Sequence, residues 1–143
     1  MKVVLDKATD KLTSAFMPAR AHEWDAGYDL FSREAWKIFP GEYHEFDTGV
    51  HIQIPHGMGG LIVSKSGLNS KENVQSTGLI DSDYIGSIKV KLYNFGKNIV
   101  CIEAGQKISQ VVILPVYTPD LELVTELETT DRGEGGFGSS GKF

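Results

Sequence analysis

An all-β fold, a sandwich or barrel of short strands, is what this sequence predicts, and three observations carry the expectation. Val50, Ile52 and Ile54 alternate with His51 and Gln53, and Ile88, Val90 and Leu92 alternate with Ser87, Lys89 and Lys91, the period of a half-buried strand. Further short apolar runs at 3–5, 61–63, 99–102 and 111–116 are separated by turn clusters such as Pro40-Gly41 and Pro55-His56-Gly57. No segment sustains a helical period.

Taken in order, 3–5 reads as a first strand, 50–54 as a strand with one buried face, and 61–63 as a short core strand. A turn of helix fits 70–75 or the stretch around Asp120. The alternating run that ends at Leu92 is the next strand, followed by 99–102 and 111–116. Cys101, the one cysteine, lies in an apolar run where a buried thiol is expected. It forms no intrachain disulfide, which suits a reducing compartment.

A chain of 143 residues with 41% hydrophobic residues can bury one core, so one domain is expected. With 14 basic and 19 acidic residues the net charge is −5. That balance excludes a protein gripping nucleic acid through a broad basic surface, but not one binding a small phosphorylated ligand. No apolar stretch approaches the roughly 18 residues of a membrane span, and Asp6 interrupts any signal-peptide core. A cytoplasmic protein, of a cell or of a virus-infected host cell, is the expectation. His22, His44, His51 and His56 lack zinc-site spacing and partner cysteines.

Residues 1–130 form the expected barrel domain and 131–143 a separate arm. The arm holds five glycines and two large apolar residues, both Phe, and cannot form a core element alone. A disordered tail is its plain reading. Phe137, set among glycines, serines and Arg132, also suits a segment that closes over a ring and a phosphate chain. The string GEGGFG matches a dinucleotide fingerprint only in form, since no strand–helix context surrounds it.

Two further segments offer phosphate chemistry: Lys65-Ser66-Gly67, and the stretch 104–110 ending in Gln110. Solvated loops are the competing reading of each. In GLIDSDYIG, Asp81 follows Leu79 and Ile80 and stands two residues before Asp83, beside Tyr84. A pair of turn carboxylates capping the next strand is the bland interpretation. The chemical one is a general base next to an aromatic platform for a sugar or base.

Together, AGYDL (26–30), KSGL (65–68), GLIDSDYIG (78–86), GQKISQ (105–110) and RGEGGFGSSG (132–141) resemble, in order and spacing, the five motifs of the trimeric dUTPase family. The resemblance implies a distorted jelly-roll β-barrel with a flexible glycine-rich C-terminal arm, a homotrimer with shared active sites, and hydrolysis of dUTP to dUMP and pyrophosphate. It implies Asp81 as the base that activates the attacking water and Tyr84 as the platform under the deoxyribose. Lys65, Ser66, the Gly67 backbone, Lys89 and Gln110 are implied substrate contacts. Gly78, Leu79, Ile80 and Gln75, in or beside a hairpin over 71–79, would read uracil. Phe137 would stack on it, with Arg132, Gly138, Ser139 and Ser140 closing on the phosphates. Mg2+ would ride on the triphosphate, touched by Asp29 and Gln110 through water, with no direct protein ligand. Lys65 and Lys107 stand where the family usually has Arg, keeping the charge without the fork. Alternatives are a dUTP-regulated binding module contacting a regulatory protein, and a dCTP deaminase of the same superfamily, which lacks the IDSDY pattern and this tail.

Overall fold

The computed structural model describes residues 1–136. Eleven strands and one short helix follow in order: β1 (Lys2–Leu5), β2 (Gly27–Phe31), β3 (Trp36–Ile38), β4 (Tyr43–Asp47), β5 (Val50–Gln53), β6 (Met58–Ser64), α1 (Ser66–Glu72), β7 (Val74–Gln75), β8 (Thr77–Ile80), β9 (Lys89–Asn94), β10 (Val100–Ile102) and β11 (Lys107–Pro115). They pair antiparallel in four sheets, β2-β11-β6-β8, β4-β9-β7, β1-β5 and β10-β3. The expected all-β architecture is present. Its strands wrap one core as separate sheets and do not join into one continuous, closed ring of hydrogen bonds. No helix among the described residues is long and apolar enough to cross a membrane.

Alternation places the core as the sequence implies. Val50, Ile52 and Ile54 are 5% exposed or less, as are Ile88, Val90 and Leu92, and they meet Phe46, Leu30 and Ile108 inside. Asn94 ends the inward face of β9 and is also buried. Its amide donates to the Ile38 and Asn98 carbonyls at 2.9 Å each and accepts from Gly96 N–H, which removes the desolvation penalty of an unpaired amide. Cys101 departs from expectation. Its neighbours Val100 and Ile102 take the inward positions of the three-residue β10, so the thiol faces out.

The stretch 71–79 is not a hairpin. α1 runs to Glu72, and Asn73 ends it in the left-handed conformation at φ 54°. β7 then pairs with β9 while β8 pairs with β6, so the chain changes sheets at Ser76. Ser64 Oγ accepts from Ser76 N–H at 2.9 Å and donates to Ser76 O at 3.2 Å. Ser76 and Ser109 hydroxyls lie 2.7 Å apart, and Ser109 donates to the Val63 carbonyl. These serines satisfy each other inside the fold and hold the crossing. No helix forms around Asp120.

Candidate active site

A β-bulge assembles the first cluster. Between Lys107↔Phe31 and Ser109↔Leu30, β11 contributes one residue more than β2. Residues three apart on a regular strand face opposite sides, but the extra residue turns the strand so that Lys107 and Gln110 share the face of Asp29. Ile108 and Ser109, consecutive in sequence, are then both buried.

Asp29 has a side chain only 3% exposed, and charge surrounds it. Lys65 Nζ is 2.6 Å from Oδ1, Lys107 Nζ is 2.7 Å from Oδ2, and Gln110 Nε2 donates to Oδ1 at 3.2 Å. Burial pushes the carboxyl up, but the hydrogen bonds and charges of Lys107 and Lys65 outweigh it and hold Asp29 below the usual carboxylate range. One carboxylate between two ammonium groups leaves the cluster net positive. Beside it, α1 begins at Ser66 with Lys65 as its N-cap and no side-chain cap. The N–H groups of its first turn, including those of Ser66 and Gly67, therefore lack an intrahelical acceptor.

A second cluster follows β8. Gly78, Leu79 and Ile80 pair with Ile62, Leu61 and Gly60, and Asp81 opens a turn closed by Tyr84 N–H to Asp81 O at 3.2 Å. Asp81 is exposed and borders an open cavity of about 610 Å3 with Gly57, Leu79, Asp83, Val116 and Thr118. The Tyr84 hydroxyl donates to the Ser87 carbonyl at 3.0 Å, and its ring lies against Gly86, where any Cβ would strike it. The glycine leaves room for the ring in this position.

The two clusters are apart. Gly60 faces Ile80, so Asp81 lies level with Gly59, six residues along the strand from Lys65. At roughly 3.3 Å per residue that is about 20 Å. Asp29, Lys65, Lys107 and Gln110 converge, with Ser66 and Gly67 adjacent, whereas Asp81 and Tyr84 lie at the opposite end of the same sheet.

The other expected residues scatter. Gln75 is exposed on β7 opposite Tyr93. Lys89 sits on the outer face of β9, 3.5 Å from Glu45. Arg132 is exposed and donates to the Gly135 carbonyl at 2.8 Å. Phe137, Gly138, Ser139 and Ser140 lie outside the described residues. The supports under both clusters escape sequence reading: the Ser64–Ser76–Ser109 network, and Asp47, which accepts a hydrogen bond from the Ser87 hydroxyl. Serines and aspartates in strands carry no signal of their own until the register brings them together.

Fold and clusters define a jelly-roll-like all-β protein whose cationic end suits a phosphorylated ligand. The sequence profile of the dUTPase family matches residues 13–141, and the chain belongs to that family. It is similar to the deoxyuridine 5'-triphosphate nucleotidohydrolase of Clostridium novyi (strain NT), 42% identical over 144 residues with 99% of each chain covered. The mouse (Mus musculus) enzyme of the same name is 41% identical over 129 residues, covering 90% of this chain and 80% of its own. Among solved structures, the Staphylococcus bacteriophage 80alpha dUTPase with dUPNHPP matches at TM-score 0.86 and 34% identity, with 98% of each chain covered; phage dUTPases of that kind are reported to control transfer of virulence genes. A mutant dUTPase of phage phi11 of S. aureus, which coordinates a structural Mg(II) ion, matches at TM-score 0.77 and 30% identity, covering 90% of this chain and all of that one.

Proposed function

We propose that this chain is a dUTP diphosphatase that hydrolyses dUTP to dUMP and pyrophosphate, with Asp81 taking the proton of the water that attacks the α-phosphorus. The observation that carries the reading is the buried Asp29 carboxylate gripping Lys65 and Lys107 beside the uncapped first turn of α1. That surface offers ammonium groups, N–H donors and the Ser66 hydroxyl to a phosphate chain. Phosphoryl chemistry depends mainly on such positioning and charge stabilisation.

Magnesium is read as a cation carried by the triphosphate. Lysines already hold both oxygens of Asp29. This is compatible with a hard cation that keeps its waters. Gln110, whose amide nitrogen is used on Asp29, keeps its amide oxygen for a metal-bound water, and Asp29 acts by holding the two ammonium groups in place. When bound, the ion supplies charge neutralisation on the phosphate oxygens.

Tyr84 presents its ring to the deoxyribose and excludes a 2′-hydroxyl by shape, while backbone groups near Gly78, Leu79 and Ile80 read uracil. Lys89, already committed to Glu45, and Gln75, on another sheet, are the weakest of the proposed contacts. The arm 131–143 closes over the nucleotide, with Phe137 on uracil and Arg132, Gly138, Ser139 and Ser140 on the phosphates. The separation of the two clusters supports a site built from several copies of the chain, a homotrimer. So does the segment after β11, where Tyr117, Leu121, Leu123 and Leu127 are all at least 87% exposed. Such apolar exposure marks a surface meant for covering. The lone thiol and the nucleotide substrate favour the cytoplasm.

Incubation with dUTP, dCTP and UTP plus magnesium tests the reading. Pyrophosphate is expected from dUTP, little from UTP, and no ammonia from dCTP; ammonia, or no pyrophosphate from dUTP, overturns it. A second reading, a dUTP-tuned contact with a regulatory protein, is favoured by the likeness to the 80alpha dUTPase. Taken alone it predicts dUTP binding without turnover.

A further inference from the structure

The turn that carries Asp81 is anchored at both ends and nearly free between them. Upstream, Ile80 is 8% exposed and paired with Gly60. Downstream, Ser87 is bound to Asp47, Ile88 N–H donates to the Val50 carbonyl at 2.8 Å, and the Ile88 carbonyl accepts from Thr48 Oγ1 at 2.6 Å. Among the described residues, one hydrogen bond reaches 82–86 from outside 81–87: His51 Nδ1 lies 2.8 Å from the Ile85 carbonyl oxygen.

The other ring nitrogen is also engaged. His51 Nε2 lies 3.3 Å from Asp6 Oδ1, and the second oxygen of Asp6 is 3.3 Å from Nη1 of the buried Arg33. Both partners of the ring, a carbonyl and a carboxylate, can only accept. A neutral imidazole has one N–H and one lone pair, so it satisfies one of them and turns a lone pair on the other; the doubly protonated ring donates to both. Lys2 shares the groove formed by Asp6, His51 and Ile85, and Asp83 lies on the adjoining surface. The charged and titratable groups on these surfaces are therefore Asp6, Arg33, Lys2, Asp83, the Met1 amine and His56.

We propose that His51 is a positioning residue for the reaction. In its doubly protonated form it ties the Ile85 carbonyl to Asp6 and so fixes the turn that presents Asp81 and Tyr84. As pH rises and the ring loses a proton, one of the two ties is lost and the turn loosens. The effect on turnover rests on the proposed role of Asp81, but the tether can be read without turnover.

The wild-type protein is titrated by NMR, following the His51 ring nitrogens and the backbone amides of 83–86. Those amides are expected to shift with the midpoint of the ring, and to lose that transition in His51→Gln. In parallel, kcat and KM for dUTP are measured against pH for both proteins. Where the ring is doubly protonated, kcat of His51→Gln should be about three- to tenfold lower, the effect of one lost hydrogen bond, with a smaller change in KM. The two profiles should converge as the ring deprotonates. Amides that ignore the ring titration in the wild type, or a ratio of rates constant across pH, overturn the proposal. Absence of any dUTP turnover in the wild type removes the functional reading instead, and the amide titration still decides the tether.

Discussion

Asp29 loses nearly all contact with water on folding, and two ammonium groups hold its carboxylate. Because its folded-state pKa is depressed, the unfolded chain binds the proton more readily. The resulting stability is present above the unfolded value of about 3.9 and is lost as pH falls through the lower folded value. Asp47 has the same sign: burial raises it, but hydrogen bonds from Ser87 and the Gly49 N–H outweigh burial and bring it below the usual carboxylate range. Thermal melts of Asp29→Asn should therefore fall less steeply than wild type between about pH 5 and pH 3, with a residual slope from Asp47; parallel curves would mean that Asp29 is not responsible. Replacing Lys65 by Met strips one partner from a buried anion and should cost about 1–3 kcal/mol in urea unfolding at neutral pH. Asp81 is the opposite case, exposed and, among the described residues, hydrogen-bonded only through its backbone in the turn. Asp81→Asn should lower kcat for dUTP about 10²- to 10⁴-fold while leaving the melting curve and nucleotide affinity nearly unchanged. Turnover close to wild type would remove it from the mechanism.

The strands show where local pattern suffices and where it fails. β5 and β9 were legible because one face of each is buried, so their apolar residues recur every second position. β3 and β4 were not: the pattern of β4 is mostly polar, and only Phe46 among its residues is fully buried. β7 and β8 were hidden because a strand that changes sheets after two residues has no period to read. The bulge in β11 was hidden too, since one extra residue is visible only against the register of its partner. Gly60 illustrates a demand of packing rather than of backbone conformation. A Cβ there would lie 3.0 Å from Ile54, 3.2 Å from Ile80 and 3.3 Å from Val111. Gly60→Ala should overpack the junction of β6, β8 and β11 and lower stability by about 1–3 kcal/mol, read from the urea midpoint. An unchanged midpoint would show that the neighbouring side chains yield freely.

At the scale of the whole molecule, the proposed site, with Asp81 and the Asp29 cluster at opposite ends of one sheet, predicts that catalysis depends on oligomerisation. If one copy supplies Lys65, Lys107 and Gln110 and another supplies Asp81, then Asp81→Asn and Lys65→Met proteins, dissociated and reassembled together, should regain activity above the sum of the separate variants. Such mixing pairs an intact cluster with an intact Asp81. No recovery in verified mixed oligomers would place the whole site within one chain. The motifs that led to the dUTPase family were readable in linear order because each is short and local, and it is their joint order, not any one of them, that points to a phosphorylated nucleotide. The sequence by itself thus determined the fold class, the family and the candidate residues. Only the tertiary structure decided that Lys107 and Gln110 face Asp29, that Cys101 points outward, and that Asp81 stands at the far end of the sheet. Register, bulges and sheet crossings set those distances, and they arise from pairing between segments remote in sequence, which no local pattern encodes.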